Sequence, residues 1–308
     1  MGAGALPRND EIAAAAAVSS HPLILGLQPA ALVDHVAPVD WSLLDQIPGD
    51  RGGSMPVAIE ELDRILEEVK AHKLASPDEL SPMKTMAGGS VANTIRGLSV
   101  GFGVSCGIIG ACGDDEQGKL FVSNMSFSRV NLSRLRMKRG HTAQCICMVD
   151  ELANRTMRPC LSCCQNSDEA FSNHLYILFS FQADELTKED FKGSKWLVLR
   201  YAIFNLDVIE AAIRIAKQEG LLVSLDLASF EMVRNFRSSL QQLLESGNID
   251  LCFANEDEAM ELLRGEQTSD PEAAVEFLAK HCKWAVVTLG ANGCIARHGK
   301  EVSIASLT

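Results

Sequence analysis

Four short clusters in the sequence combine residue types that can hold a phosphorylated or hydroxylated small molecule. The first is Gly88-Gly89-Ser90-Val91-Ala92-Asn93, ahead of a helical segment. Paired glycines let the chain turn sharply and bring backbone close to a ligand. Asn93 offers both a donor and an acceptor to a hydroxylated substrate. A plain tight turn is the alternative. The second is Gly113-Asp114-Asp115-Glu116-Gln117-Gly118, whose carboxylates suit the cap of a following helix better than a metal site. The third, Asn255-Glu256-Asp257-Glu258, opens a helix directly after a strand. Carboxylates there either complement the helix dipole or hold Mg²⁺ through water beside substrate phosphates. The fourth is Thr288-Leu289-Gly290-Ala291-Asn292-Gly293, where glycines at a strand end admit the close approach a nucleotide needs, or simply form a hairpin turn. No GxxxxGK[ST] and no GxGxxG occurs, so P-loop and dinucleotide readings gain no support.

The elements that must position these clusters follow from periodicity. Residues 57–73 carry apolar side chains at 58, 59, 62, 65, 66 and 69, which is helical spacing. Residues 74–85, with Pro77 and Pro82, read as loop. Leu23–Leu27, 104–113, 142–149, 195–200, 221–227, 249–255 and 285–290 read as strands, and 118–130, 205–219, 237–245, 256–264 and 271–282 as helices. From 195 onward strand and helix alternate. That order predicts βαβ crossovers and an α/β fold with a parallel sheet covered on both faces. Ligands in such sheets bind beyond the carboxyl ends of the strands, which directs attention to Asp226, to 255–258 and to 290–293.

Composition bounds the function. The chain has 308 residues, 47% hydrophobic and 22% charged, as in ordinary globular proteins. Its formal charge of −12, from 28 basic and 40 acidic residues, repels phosphate backbones and argues against a nucleic-acid partner. No apolar run reaches the ~18 residues a membrane span requires, and Ala13–Ala17 follows Asp10 and Glu11 rather than a basic leader. Residues 1–20 are expected to be a disordered tail. Ten scattered cysteines point to a reducing, cytoplasmic setting. Cys160, Cys163 and Cys164 make half of a zinc site, with no second pair at zinc spacing.

In order and context the clusters resemble the ribokinase or pfkB family of sugar and nucleoside kinases, over about residues 22–308. An early strand ends near Asp34, then come Gly88-Gly89-x-x-x-Asn93, GDDEQG, Asn255-x-x-Glu258 and TLGANG. GGSVANTIRGLS looks closer to adenosine-kinase-like members than to bacterial ribokinase. The resemblance implies a three-layer αβα domain over 21–308 with a mostly parallel sheet and a small β-sheet lid from segments near 27–55 and 140–160. It implies substrate contacts by Asp34, Gly88, Gly89 and Asn93. It also implies ATP and Mg²⁺ held by Asn255, Glu258, Thr288, Gly290 and Gly293, with Glu258 reaching the metal through water. Asp226 and Arg234 sit where the family often has an acidic–basic pair. A homodimer through the lid is a further implication. The family reaction moves the γ-phosphoryl of ATP to a substrate alcohol by positioning and electrostatics.

The resemblance also implies a Gly-Ala-Gly-Asp turn after residue 300, bearing the catalytic base and the anion hole. No such tetrapeptide occurs, and the sequence closes on EVSIASLT. Residues 163–182 fit neither a lid strand nor a clean helix. Together these departures lead to the expectation of a C-terminally truncated, alternative or incomplete gene product, without a catalytic residue of its own and inactive as a kinase. A non-catalytic ligand-binding or interaction protein on the same fold is the competing expectation.

Overall fold

In the computed structural model, residues 21–75, 82–161, 181–266 and 270–305 are described. The chain runs β1 (Ile24–Ala30), β2 (Leu32–Pro38), α1 (Trp41–Leu44), α2 (Ile59–Ala75), β3 (Lys84–Gly88), α3 (Ser90–Phe102), β4 (Cys106–Gly113), α4 (Glu116–Phe127), β5 (Asn131–Lys138), β6 (Ala143–Val149) and β7 (Arg155–Cys160). Short 3-10 turns between Ala183 and Phe191 lead to β8 (Trp196–Arg200), α5 (Leu206–Gln218), β9 (Leu222–Asp226), α6 (Phe230–Asn235) and α7 (Arg237–Glu245). The described chain finishes with β10 (Leu251–Asn255), α8 (Glu256–Leu262), α9 (Pro271–Leu278), β11 (Trp284–Thr288), β12 (Cys294–His298) and β13 (Glu301–Ala305).

Nine strands form one sheet in the order β13-β12-β11-β10-β9-β8-β1-β4-β5. Every pairing from β11 to β5 is parallel, whereas β12 and β13 add antiparallel hairpins. Parallel neighbours need long crossovers, which α3 through α9 supply. All eight residues of β4 are buried, as a strand covered on both faces requires. One face packs Leu197, Leu199, Val223, Leu225, Cys252, Ala254, Ala285 and Val287 against α5, α7, α8 and α9. The other packs Cys106 and Ile108 against Val91 and Ile95 of α3 and Phe121 and Met125 of α4. The protein is therefore a three-layer α/β fold around a large mixed sheet.

The second sheet has the order β3-β2-β6-β7. Its apolar side, including Ala37, Ile146 and Met148, packs on Leu62, Ile65 and Val69 of α2 and Leu43 and Leu44 of α1. Arg158 lies fully buried in β7 and donates to the carbonyls of Pro48 (2.8 Å) and Met157 (2.8 Å). It thereby fixes the loop that follows α1.

The periodicity reading does not contain β2, β3, β5, β7, β12 and β13, and two of these, β3 and β5, run against their local sequence signals. β3 occupies the end of a segment whose prolines suggest loop. Pro82 lies two residues before the strand, and the ladder to β2 from Leu32↔Gly88 to Val36↔Lys84 decides the conformation. β5 carries Arg134, Arg136 and Lys138 on an edge strand and shows no apolar alternation. Its charges are answered by tertiary partners, with Arg134 Nε donating to the Asp190 carbonyl (2.7 Å) and Arg136 to the Asp190 carboxylate (2.6 Å). Residues 1–20 and most of 163–182, including Cys163 and Cys164, lie outside the described residues.

On the sheet face shared with α3 and α4, strands β8 to β13 carry a groove of about 330 Å³ lined by Trp196, Leu251, Phe253, Trp284 and His298. Trp284 stacks on His298 at 5.1 Å between centroids. Trp196, Leu251 and Trp284 open their strands, so the groove lies toward the end of the sheet opposite the carboxyl-terminal crevice. Among the described residues no helix is long and apolar enough to cross a membrane.

Candidate functional site

The carboxyl ends of the parallel strands carry two groups of polar residues. The first forms where β1 hands the chain to β2 and where β3 hands it to α3. Asp34 lies within β2, opposite Met86 of β3 and Cys145 of β6. Its carboxylate accepts from the Gly89 amide. A Cβ placed on Gly88 would come within 2.1 Å of Asp34 Cγ, so only glycine leaves room for the carboxylate there. Gly89 has φ 93°, and a Cβ on it would come within 2.4 Å of Gln28 Oε1. Asn93 sits in the first turn of α3, exposed, its amide donating to the Gly89 carbonyl (2.9 Å) and its Oδ1 accepting from Arg96 (2.9 Å). The structure thus brings Asp34, Gly88, Gly89 and Asn93 together. Burial pushes the Asp34 carboxyl above its usual range, against the Gly89 amide and the nearby Arg96 and Arg155 charges.

Asp115 plays the capping role expected of its cluster. It accepts from Gly118 N (2.8 Å) at the start of α4 and also from Thr142 N (3.0 Å) and Thr142 Oγ1 (2.7 Å). Asp114 accepts from Gly140 N (3.0 Å). The pair ties the end of β4 to the turn before β6.

The second group lies at the ends of β8 to β11. Register places Arg200 beside Asp226 and Asn255 beside Thr288. Asn255 and Glu258 form a capping box at the start of α8. Glu258 is 3% exposed, and burial, reinforced by the Asp226 charge, pushes its carboxyl up to about 7. Burial likewise raises Asp226, with Arg200 opposing the shift. Ala228 holds φ 80° just beyond, its amide donating to Asp226 Oδ1 (3.0 Å) and its carbonyl accepting from Arg200 (3.2 Å). A non-glycine residue in this region carries backbone strain, a feature that clusters at ligand sites. Gly290 (φ 54°) and Gly293 (φ 92°) complete a turn closed by the Leu289 amide on the Gly293 carbonyl (2.8 Å). A Cβ on Gly290 would meet nothing within 4 Å, so the turn borders open space.

Arg234 does not pair with Asp226. Its guanidinium binds Glu261 of α8 (Nε to Oε1, 2.9 Å) and lies over Phe230 (5.2 Å). The cation beside Asp226 is Arg200, at the end of the neighbouring strand, so cross-strand register rather than sequence proximity selects it. Gln28 and Arg96 are two further members of the first group that motif spacing does not reveal. A Gln-Pro pair ending an apolar run is the local signal for Gln28.

Two strands separate β1 from β10 in the sheet order, so the ends of these two strands stand roughly 14 Å apart at the ~4.8 Å strand spacing. The loop after α1 reaches toward the space between them. A Cβ on Gly53 would lie 3.8 Å from Glu231 Oε1 of α6. The donor set suits Mg²⁺ held through water by one or two carboxylates rather than a direct protein cage. Among the described residues, no three or more His, Cys, Asp or Glu side chains gather at metal-binding distances. Burial raises both the Glu258 and Asp226 carboxyls, and Arg200 opposes the shift at each.

The sequence model of the pfkB family carbohydrate kinases matches residues 60–307. Curated proteins yield no match. Among solved structures, an adenosine kinase from Sinorhizobium meliloti shares 24% identity at a TM-score of 0.76, covering 94% of this chain and 81% of its own. A probable sugar kinase from Rhizobium etli shares 22% at a TM-score of 0.76, covering 94% and 80%. An adenosine kinase from Anopheles gambiae shares 17% at 0.72, covering 94% and 87%. These likenesses speak for the fold, while the family match spans most of the sequence. The chain belongs to the pfkB family of carbohydrate kinases.

Proposed function

We propose that the site serves ATP-dependent phosphoryl transfer to an alcohol group of a sugar or nucleoside. The observation that carries this reading is the arrangement of two complementary groups along one carboxyl edge of a pfkB-family sheet. Asp34 and Asn93 border one end, and Asn255, Glu258 and Thr288 the other. Asp34 accepts from substrate hydroxyls, Asn93 donates and accepts, and the Gly88–Gly89 turn lets backbone approach the sugar. Thr288, Gly290 and Gly293 border the nucleotide, and Glu258 holds the Mg²⁺ waters. Mg-ATP, when bound, supplies the phosphoryl group and neutralises charge that develops during transfer. In this reading the four-stranded sheet is the lid of a kinase domain over 21–308, and its loop at 50–53 closes toward α6.

A second reading rests on one sequence fact. The 308 residues contain no Gly-Ala-Gly-Asp. A polypeptide of these residues then binds acceptor and nucleotide without turning them over, acting as a ligand-binding or interaction protein. Equilibrium binding of Mg-ATP and of a nucleoside and sugar panel tests both readings. Binding of an alcohol acceptor that Asp34→Asn weakens supports the shared site. Absence of acceptor and nucleotide binding contradicts both.

A further inference from the structure

We propose that Gln28 is the positioning residue of the acceptor site, tying the Gly88–Gly89 pivot to β1 so that Asp34 and Asn93 face the same ligand; this rests on the kinase-site reading above. Gln28 is 8% exposed and both ends of its side-chain amide are used. Nε2 donates to the carbonyl of Gly88, the last residue of β3 (3.2 Å). Oε1 accepts from the amide of Ala92 (2.9 Å). That second bond replaces a missing cap. The N-cap of α3 is Gly89, which has no side chain to offer, and Ala92 carries one of the first-turn donors that a helix leaves unpaired. A side chain 64 residues away along the chain supplies what the local sequence lacks.

The same turn is held from the other side by Asp34, which accepts from Gly89 N. Gly88 and Gly89 therefore sit between a residue of the large sheet and a residue of the small one. Gln28 itself is placed firmly. It pairs with Gly110 of β4 just before a register shift, and a Cβ on Gly110 would come within 2.0 Å of the Gln28 carbonyl. Asn is one methylene too short to span both partners, and Leu fills the space while satisfying neither. Glu keeps an oxygen for Ala92 and surrenders the donor to Gly88.

The test uses the 308-residue chain and its Gln28→Leu and Gln28→Glu variants, with adenosine as probe acceptor and Mg-ATP as nucleotide. Amide hydrogen exchange across 88–93 is read first and needs no ligand. Gln28→Leu is expected to speed exchange there by about tenfold or more, leaving β10 and α8 protected, since two buried polar groups lose their partners. Gln28→Glu is expected to restore protection at Ala92. Where the wild-type chain binds adenosine, Gln28→Leu is expected to weaken that binding about tenfold and Mg-ATP binding by less than twofold. Unchanged exchange at 88–93 in Gln28→Leu overturns the proposal, as does equal loss of adenosine and Mg-ATP affinity. A wild-type chain that binds no panel member while showing the exchange pattern contradicts the kinase-site reading and leaves the clamp standing.

Discussion

Asn255 and Glu258 cap one another: Asn255 Oδ1 accepts from the Glu258 amide, and Glu258 Oε2 accepts from the Asn255 amide, both at 2.8 Å. The box satisfies two helix-end groups at once and fixes a buried carboxyl at the end of the sheet. The box uses one oxygen of Glu258 and leaves the other for the proposed role beside Mg²⁺.

The position of Glu258 has a pH consequence. Its folded-state value of about 7 stands above the ordinary 4.5, so the folded chain holds this proton more tightly than the unfolded one. Stability from the group is full below the lower value and is lost as pH rises through the upper one. The total is roughly 3 kcal/mol as an upper bound. Glu258→Gln is expected to flatten the stability curve in that window and to weaken Mg-ATP binding. Urea unfolding at a series of pH values measures it. Some slope persists, because burial also raises Asp34 and Asp226.

Gly88→Ala and Gly89→Ala are expected to fail differently. A methyl at 88 meets the Asp34 carboxylate, which can swing away, so acceptor binding falls more than stability. A methyl at 89 meets Gln28 and also forces alanine to φ 93°, which costs about 1–3 kcal/mol. Comparing thermal midpoints with acceptor affinities separates the two.

Asp34→Asn keeps the shape and an acceptor for the Gly89 amide. It is expected to weaken acceptor binding by roughly 10- to 100-fold, the worth of a charged hydrogen bond. Stability is expected to hold or rise, since the buried carboxylate is relieved. In the wild type, acceptor affinity should decline on acidification through a value above the usual Asp range. Calorimetric titration across pH reads both effects.

Arg234→Ala is expected to leave nucleotide binding unchanged. Arg234 is bonded to Glu261 and is 43% exposed on its side chain, so solvent screens the pair and little stability is lost. A large fall in Mg-ATP affinity would place Arg234 in the phosphate site after all.

Much of the frame is legible in the sequence because its signals are local. Alternating strand and helix from 195 onward needs only periodicity, and Gly88, Gly89 and Asn93 announce a turn before a helix. What stays hidden depends on pairing across distance. β5 is a strand because β4 offers it a parallel edge, and its Arg134 and Arg136 are answered by Asp190, more than fifty positions later. β3 is a strand because β2 offers it an edge. Arg200 reaches Asp226 through register, so the nearer-looking Arg234 misleads. For Gln28 the local Gln-Pro signal marks only a strand end, since its partners, Gly88 and Ala92, lie 60 and 64 residues away.

The most direct measurement is transfer of labelled γ-phosphate from ATP to a nucleoside and sugar panel. It compares the 308-residue polypeptide with the same chain extended by a pfkB-type segment containing Gly-Ala-Gly-Asp. A phosphorylated alcohol is expected from the extended chain, and its loss in the Asp34→Asn variant. Transfer by the extended chain that is indifferent to Asp34→Asn would contradict the acceptor-site assignment.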